Sequence, residues 1–246
     1  MIPIYFLGGL GSNPYHAMDL IAHLPFPVTV LELPGHGEAF DTILTNLIDL
    51  HLWFEERVNI AEPFRLIGHS MGAMLFSYLA SHYETAESLI LLDGGYFNLD
   101  ALVSLEDEWL QTRAYLEQQV FQNPEEIIAQ EQQNALFWSE NLHKASLANY
   151  IVTEDGLWKL NLNPTALKEL LSLQRHCQGF LPQVTCPTLL ISQTRNCPDW
   201  KTEMIEQLPQ TIDIQKLLAV GHSPHTDRPH EVAKAIKDFL LSNENL

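Results

Sequence analysis

Leu66-Ile67-Gly68-His69-Ser70-Met71-Gly72-Ala73 decides the reading of this chain. Phe64, Leu66 and Ile67 have strand character and run into a Gly-x-Ser-x-Gly turn. Ala73, Met74, Leu75, Phe76, Tyr78, Leu79 and Ala80 continue at once as a helix. A strand that reverses sharply into a helix strains the backbone at the serine and pushes its Oγ out of the sheet. The flanking glycines are needed because a Cβ on either would collide with the crowded turn. Such a serine also sits at a helix N-terminus, where unpaired N–H groups and the dipole favour developing negative charge. That is the setting an acyl-transfer nucleophile requires.

Outward from the turn, apolar runs bounded by turn residues alternate with longer amphipathic patterns. Strands are expected at 2–7, 28–33, 64–68, 88–93, 187–192 and 212–218, and helices near 14–24, 41–60, 71–83, 199–208 and 229–242. The alternation implies an α/β fold, a mostly parallel doubly wound sheet of about six strands. Between Tyr96 and Pro182 the rhythm changes. Trp109, Leu110 and Leu116, then Ile127, Ile128 and Leu136, then Leu167, Leu170 and Leu171 repeat at helical spacing, with Pro124 and Pro164 where helices should start. No strand is expected there. Residues 1–95 and 183–246 therefore read as the core, and 96–182 as a helical lid inserted after the fourth strand.

Open parallel sheets collect reactive groups beyond the carboxyl ends of their strands. Gly8-Gly9-Leu10-Gly11-Ser12 follows the first expected strand and Leu33-Pro34-Gly35-His36-Gly37 the second. The serine turn follows the third and Asp93-Gly94-Gly95 the fourth. Gln193 through Asp199 follows the fifth and Gly221-His222-Ser223-Pro224-His225 the last. One rim thus gathers a nucleophile, carboxylates and a histidine, in that chain order. Gly8–Ser12 is not a phosphate loop, because it lacks the lysine and Pro14 stands where the dinucleotide fingerprint has its third glycine.

The length of 246 residues suits one large domain, and 46% hydrophobic with 18% charged residues describes an ordinary globular chain. A net charge of −18 argues against nucleic acid or an anionic membrane as partner. No stretch approaches the roughly 20 apolar residues of a membrane span, and Met1–Leu7 carries no basic leader, so a cytoplasmic location is expected. Cys177, Cys186 and Cys197 are odd in number and lack C-x-x-C spacing, which suggests apolar fillers rather than a disulfide framework or zinc site.

Four segments together resemble the α/β-hydrolase family, in its lid-bearing esterase and thioesterase group. Phe6-Leu7-Gly8-Gly9-Leu10-Gly11-Ser12 is similar to the family's F-L-H-G-x-G-S loop, with Gly8 for the histidine. Leu33-Pro34-Gly35-His36-Gly37 is similar to D-L-P-G-H-G, with Glu32 for the aspartate. Gly68–Gly72 is the nucleophile elbow, and Gly221-His222 with Asp227-Arg228-Pro229 resembles the closing G-H-x-x-x-x-E-x-P segment. One departure matters. The strand at 187–192 should lead into G-x-x-D, but the chain reads Gln193-Thr194-Arg195-Asn196.

Ser70 is the expected nucleophile and His222 the expected base, since imidazole titrates near neutrality. His225 is the alternative base, His69 is expected to pack beside the elbow, and His36 to brace a loop. The third member must be a carboxylate, because replacing it with asparagine lowers kcat about 10⁴-fold in a serine protease. Asp93, after the fourth strand, is the first candidate, and Asp199, in the same loop as Asn196, the alternative acid; Asn196 itself, or no third member, stays open beside them. By resemblance the oxyanion donors are the N–H groups of Leu10 and Met71. Trp109, Tyr115, Phe121, Phe137, Trp138 and Trp158 are expected to divide between lid core and the wall of an apolar acyl pocket. Glu106-Asp107-Glu108 reads as a solvated helix start. No cofactor or metal is called for, and the oligomeric state is left open. The resemblance implies a serine hydrolase whose partner is a small-molecule acyl ester or thioester, small or medium and apolar. A lyase or C–C bond hydrolase with the same three groups, or a catalytically weakened ligand-binding member, stays open beside it.

Overall fold

A computed structural model describes residues 1–243. The chain lays down β1 (Ile4–Leu7), α1 (Tyr15–Ala22), β2 (Val28–Leu31), α2 (Leu47–Glu55), β3 (Phe64–His69), α3 (Met71–Ala80) and β4 (Ala86–Leu92). An insert follows: α4 (Leu99–Leu102), α5 (Leu105–Gln118), β5 (Val120–Phe121), α6 (Pro124–Asn134), α7 (Glu140–Ala148), β6 (Tyr150–Val152), β7 (Trp158–Leu160) and α8 (Pro164–His176). The chain then adds β8 (Thr188–Ile191), α9 (Asp199–Glu206), β9 (Ile212–Gln215), α10 (Pro224–Asp227) and α11 (Pro229–Asn243).

Six strands form one sheet in the order β2-β1-β3-β4-β8-β9, every pair parallel. Parallel strands are covered on both faces, which is why they read as continuous apolar runs rather than alternations. Successive side chains point to opposite faces. Leu7, Leu66, Leu89, Leu91 and Leu190 enter one core with residues of α2, α3 and α8. Ile4, Phe6, Ile67, Ile90, Leu92, Leu189 and Ile191 enter the other with residues of α1 and α11. Truncating one of these fully buried leucines to alanine costs roughly 2–5 kcal/mol. The sheet begins at β1 and grows in both directions, to β2 on one side and to β3 on the other. The chain therefore leaves an opening at the carboxyl ends of β1 and β3, where the Gly8–Ser12 loop meets the Ser70 turn.

The insert is not wholly helical, contrary to expectation. β5, β7 and β6 form a three-stranded antiparallel sheet, β6 and β7 being joined by a hairpin through Asp155-Gly156. Gly156 has φ +81°, the left-handed conformation that such a turn needs and glycine adopts freely. Strands of two or three residues are too short to register as a period. The helices of the insert start where proline and a capping side chain place them: Asn123 accepts from the Glu126 N–H ahead of Pro124, and Asn163 from the Thr165 and Ala166 N–H groups around Pro164. Among the described residues no helix is long and apolar enough to cross a membrane.

Candidate active site

Ser70 stands between β3 and α3 with φ 52° and ψ −117°, a conformation that costs an L-residue about 1–3 kcal/mol. The surrounding ladder holds it there. The Ser70 N–H donates to the Leu92 carbonyl at 3.1 Å, and the Ser70 carbonyl accepts from the Met74 N–H at 3.2 Å. Helix α3 then passes so close to β1 that a Cβ on Gly72 would stand 2.3 Å from the Leu7 carbonyl oxygen. Glycine alone allows that approach.

Three sequence-named side chains meet at this turn. The Ser70 hydroxyl lies 2.8 Å from His222 Nε2, and His222 Nδ1 donates to Asp93 Oδ2 at 2.6 Å. His222 rides on the loop between β9 and α10, where Asp227 Oδ2 accepts from the preceding Gly221 N–H at 2.6 Å. His69 Nε2 donates to the His222 carbonyl at 2.9 Å, and burial pushes the His69 imidazole down to about 3, so it stays a neutral brace. Asp93 is fully buried just beyond β4, with Oδ1 accepting from the Gln193 N–H at 2.9 Å and the Tyr96 hydroxyl at 3.3 Å. Burial pushes its carboxyl up, but hydrogen bonds from His222, the Gln193 N–H and Lys201 outweigh it and hold the group below its usual range. An ionised acceptor there fixes the imidazole proton on Nδ1 and leaves Nε2 free to take one.

Sequence reasoning missed Lys201. Its ammonium, on a side chain only 4% exposed, lies 2.7 Å from Asp93 Oδ2 and 2.9 Å from Gln193 Oε1, beside the Phe97 and Trp200 rings. A lysine in the first turn of a short polar helix reads as solvated, so the sequence carries no signal for it. Asp199 and Asn196 are exposed, and neither bonds to His222 among the described residues. His225 is buried with its ring 4.5 Å from that of His69, and makes no bond to Ser70.

The glycine-rich loop after β1 is braced from two sides. The Gly11 N–H donates to His36 Nε2 at 2.9 Å, and His36 Nδ1 donates to the Pro34 carbonyl at 2.9 Å. The Gly11 carbonyl accepts from Asn149 Nδ2 of the insert at 2.8 Å, and Asn149 Oδ1 in turn accepts from Asn13 Nδ2 at 2.7 Å. No protein acceptor takes the N–H of Leu10 or Met71 among the described residues, so both donors are free.

A cleft of about 390 Å³ opens over Ser12, His69 and His222. Of the aromatics named from sequence, Phe137 and Trp138 line it and Tyr115 lines a neighbouring chamber. Trp109 packs on the main core and Phe121 against Tyr150. The wall is mixed rather than apolar, with Glu131, Asn134 and Arg195 among the lining residues. Glu108 of the acidic run pairs with Arg175 at 2.6 Å. No group of histidine, cysteine and carboxylate side chains with metal-binding geometry occurs among the described residues.

A putative 2-succinyl-6-hydroxy-2,4-cyclohexadiene-1-carboxylate synthase of Haemophilus influenzae is 24% identical over 98% of both chains. Similar solved structures include E-2-(acetamidomethylene)succinate hydrolase, with TM-score 0.73, 19% identity, and coverage of 97% of this chain and 91% of that one. The thioesterase domain from the curacin biosynthetic pathway aligns with TM-score 0.72 and 17% identity over 96% and 90% of the two chains. These likenesses carry the fold. The family model described as alpha/beta hydrolase matches residues 4–235, nearly the whole chain, and with the elbow, the parallel sheet and the histidine loop it establishes that this protein belongs to the α/β-hydrolase family.

Proposed function

We propose that the protein is a serine hydrolase that cleaves a small or medium carboxylic ester or thioester through an acyl-enzyme. The observation that carries this is the chain of two short hydrogen bonds from the Ser70 hydroxyl through His222 to Asp93. His222 Nε2 takes the hydroxyl proton as Ser70 attacks the acyl carbon. The free N–H groups of Met71 and Leu10 face the developing oxyanion at the start of α3, where the dipole adds to their effect. The imidazolium then protonates the leaving alkoxide or thiolate. Water, deprotonated by His222, attacks the acyl-serine and releases the acid. Asp93 stabilises the imidazolium throughout. The segment 96–182 acts as the lid over this site, its residues Phe137 and Trp138 forming the cleft wall.

The Haemophilus relative is named for a product that bears carboxylates. Arg195 is the one lysine or arginine lining the cleft, and it is exposed within the field of Asp227. A carboxylate-rich substrate therefore finds little to bind, which favours esters and thioesters over that reaction. A fluorophosphonate probe should label Ser70, and p-nitrophenyl and coenzyme A esters of graded acyl length should be turned over. Asp93→Asn should lower kcat by about 10³–10⁴, whereas Asp199→Asn and Asn196→Asp should stay within about twofold, outside any effect of the acid. An unlabelled native protein, or equal losses at Asp93 and Asp199, overturns the assignment.

A further inference from the structure

Beyond the cleft lined by His69 and His222 lies a second chamber of about 410 Å³. The two share Leu10, Gly11, His16, Glu131, Ser146 and Ser223 in their walls, so the chamber continues the cleft past the oxyanion loop and under the insert. Most of its polar groups are already committed. The Tyr150 hydroxyl donates to Gln119 Oε1, the Ser146 hydroxyl to the Leu142 carbonyl, and Asn149 bridges Gly11 and Asn13. Glu131 is the one carboxyl group among the residues that line it. Its carboxylate has no hydrogen bond or ion pair among the described residues, and neither lysine nor arginine lines the chamber. The other titratable groups of the wall are neutral near pH 7, because burial pushes the His16 imidazole down and the Tyr115 and Tyr150 phenols up. The chamber thus holds one partly buried carboxyl group without a partner, and burial pushes it up from its ordinary value.

Glu131 is partly buried, and partial withdrawal of a carboxylate from water without a partner is unfavourable. A ligand that brings a positive charge and N–H donors removes the penalty and gains charge-assisted hydrogen bonds. An anionic group meets repulsion there instead. We propose that this chamber is a subsite for a cationic end of the substrate, an ammonium on an aliphatic stem, read by Glu131 while the acyl carbon lies at Ser70. The substrate class is then an ester or thioester whose acyl chain or leaving group ends in a primary amine. The assignment rests on the serine hydrolase reading for its substrate and on the chamber alone for its ligand.

Two measurements separate these. The first compares p-nitrophenyl esters of straight-chain acids ending in ammonium, hydroxyl, methyl or carboxylate, at graded lengths, on wild type and Glu131→Gln. At the best length the wild-type kcat/KM should favour ammonium over methyl by about tenfold, carried mainly in KM, and the variant should reduce that ratio to about twofold. A preference that survives Glu131→Gln, a methyl ester that matches the ammonium ester at every length, or a hydroxyl ester equal to the ammonium ester overturns the cationic subsite. The second is calorimetric binding of straight-chain alkylammonium ions, which needs no turnover. Wild type should bind them about tenfold more tightly than Glu131→Gln, with equal melting temperatures showing that both are folded. Equal affinity overturns the subsite. Tighter wild-type binding without ester turnover or probe labelling upholds the subsite and sinks the hydrolase reading.

Discussion

Replacing Lys201 with methionine removes one charge from behind the Ser70–His222–Asp93 array while keeping most of the side-chain volume. Lys201 Nζ and His222 Nδ1 contact the same oxygen, Asp93 Oδ2, at 2.7 and 2.6 Å. The two nitrogens therefore stand within about 5 Å of each other, and at an effective dielectric of about 20 an ammonium and an imidazolium at that separation repel by about 3 kcal/mol. The His222 side chain is 49% exposed, and water and salt screen the repulsion to about 1 kcal/mol or a little more. Other groups near the ring are Asp93, the neutral His69 and His225, and Asp227. None of them changes when Lys201 does. With the ammonium gone, that repulsion is lost and the imidazolium is favoured. The acid limb of kcat/KM against pH for an activated ester should thus move up by about one pH unit. Stability should fall as well, by roughly 1–3 kcal/mol, because Asp93 loses a buried partner; a thermal melt shows whether the variant is folded under assay conditions. A folded variant whose midpoint stays in place, or moves to lower pH, refutes the view that Lys201 sets the working range of the base.

The brace on the Gly8–Ser12 loop, the proposed source of one oxyanion donor, predicts that His36→Ala lowers kcat by about tenfold with KM nearly unchanged, less than the 10² or more lost with a whole donor; an unaltered kcat in a folded variant would show that the loop needs no such support. Acid should destabilise the fold through its buried imidazoles. Burial lowers His16, His36 and His225 as well as His69, so the folded state resists protons that the unfolded chain accepts. Stability is full above the unfolded value and is lost as pH falls below about 6.5; His69, held at about 3, accounts for roughly 2 kcal/mol of loss between about pH 7.5 and 5. Urea midpoints that coincide at those two pH values would contradict it.

The six core strands are legible in the sequence because burial on both faces turns each into an uninterrupted apolar run, and the loops after them carry glycines and histidines at fixed offsets. Boundaries are less so. A helix expected over 41–60 is α2, Leu47–Glu55, because the Asn46 side chain accepts from the Ile48 and Asp49 N–H groups and starts the helix only there. The small sheet of the insert is invisible to periodicity at its length. Within the site, Ser70 and His222 are fixed by their motifs, whereas the acid is ambiguous. Spacing identifies the loops that end on the rim, not which of them bends toward an imidazole that arrives 129 residues after Asp93. Lys201 depends on tertiary burial alone, and its polar helix gives no hint of an inward side chain.

The pairing of β3 with β4 sets His69 opposite Leu92, so Ser70 and Asp93 each stand one residue past a fixed rung. Their spacing is a property of the sheet and as durable as the sheet itself. The imidazole alone is delivered by a loop, held through the Gly221 N–H and the His222 carbonyl. Warming the protein short of its melting transition should therefore reduce turnover by releasing that loop before the sheet yields, and cooling should restore it without refolding.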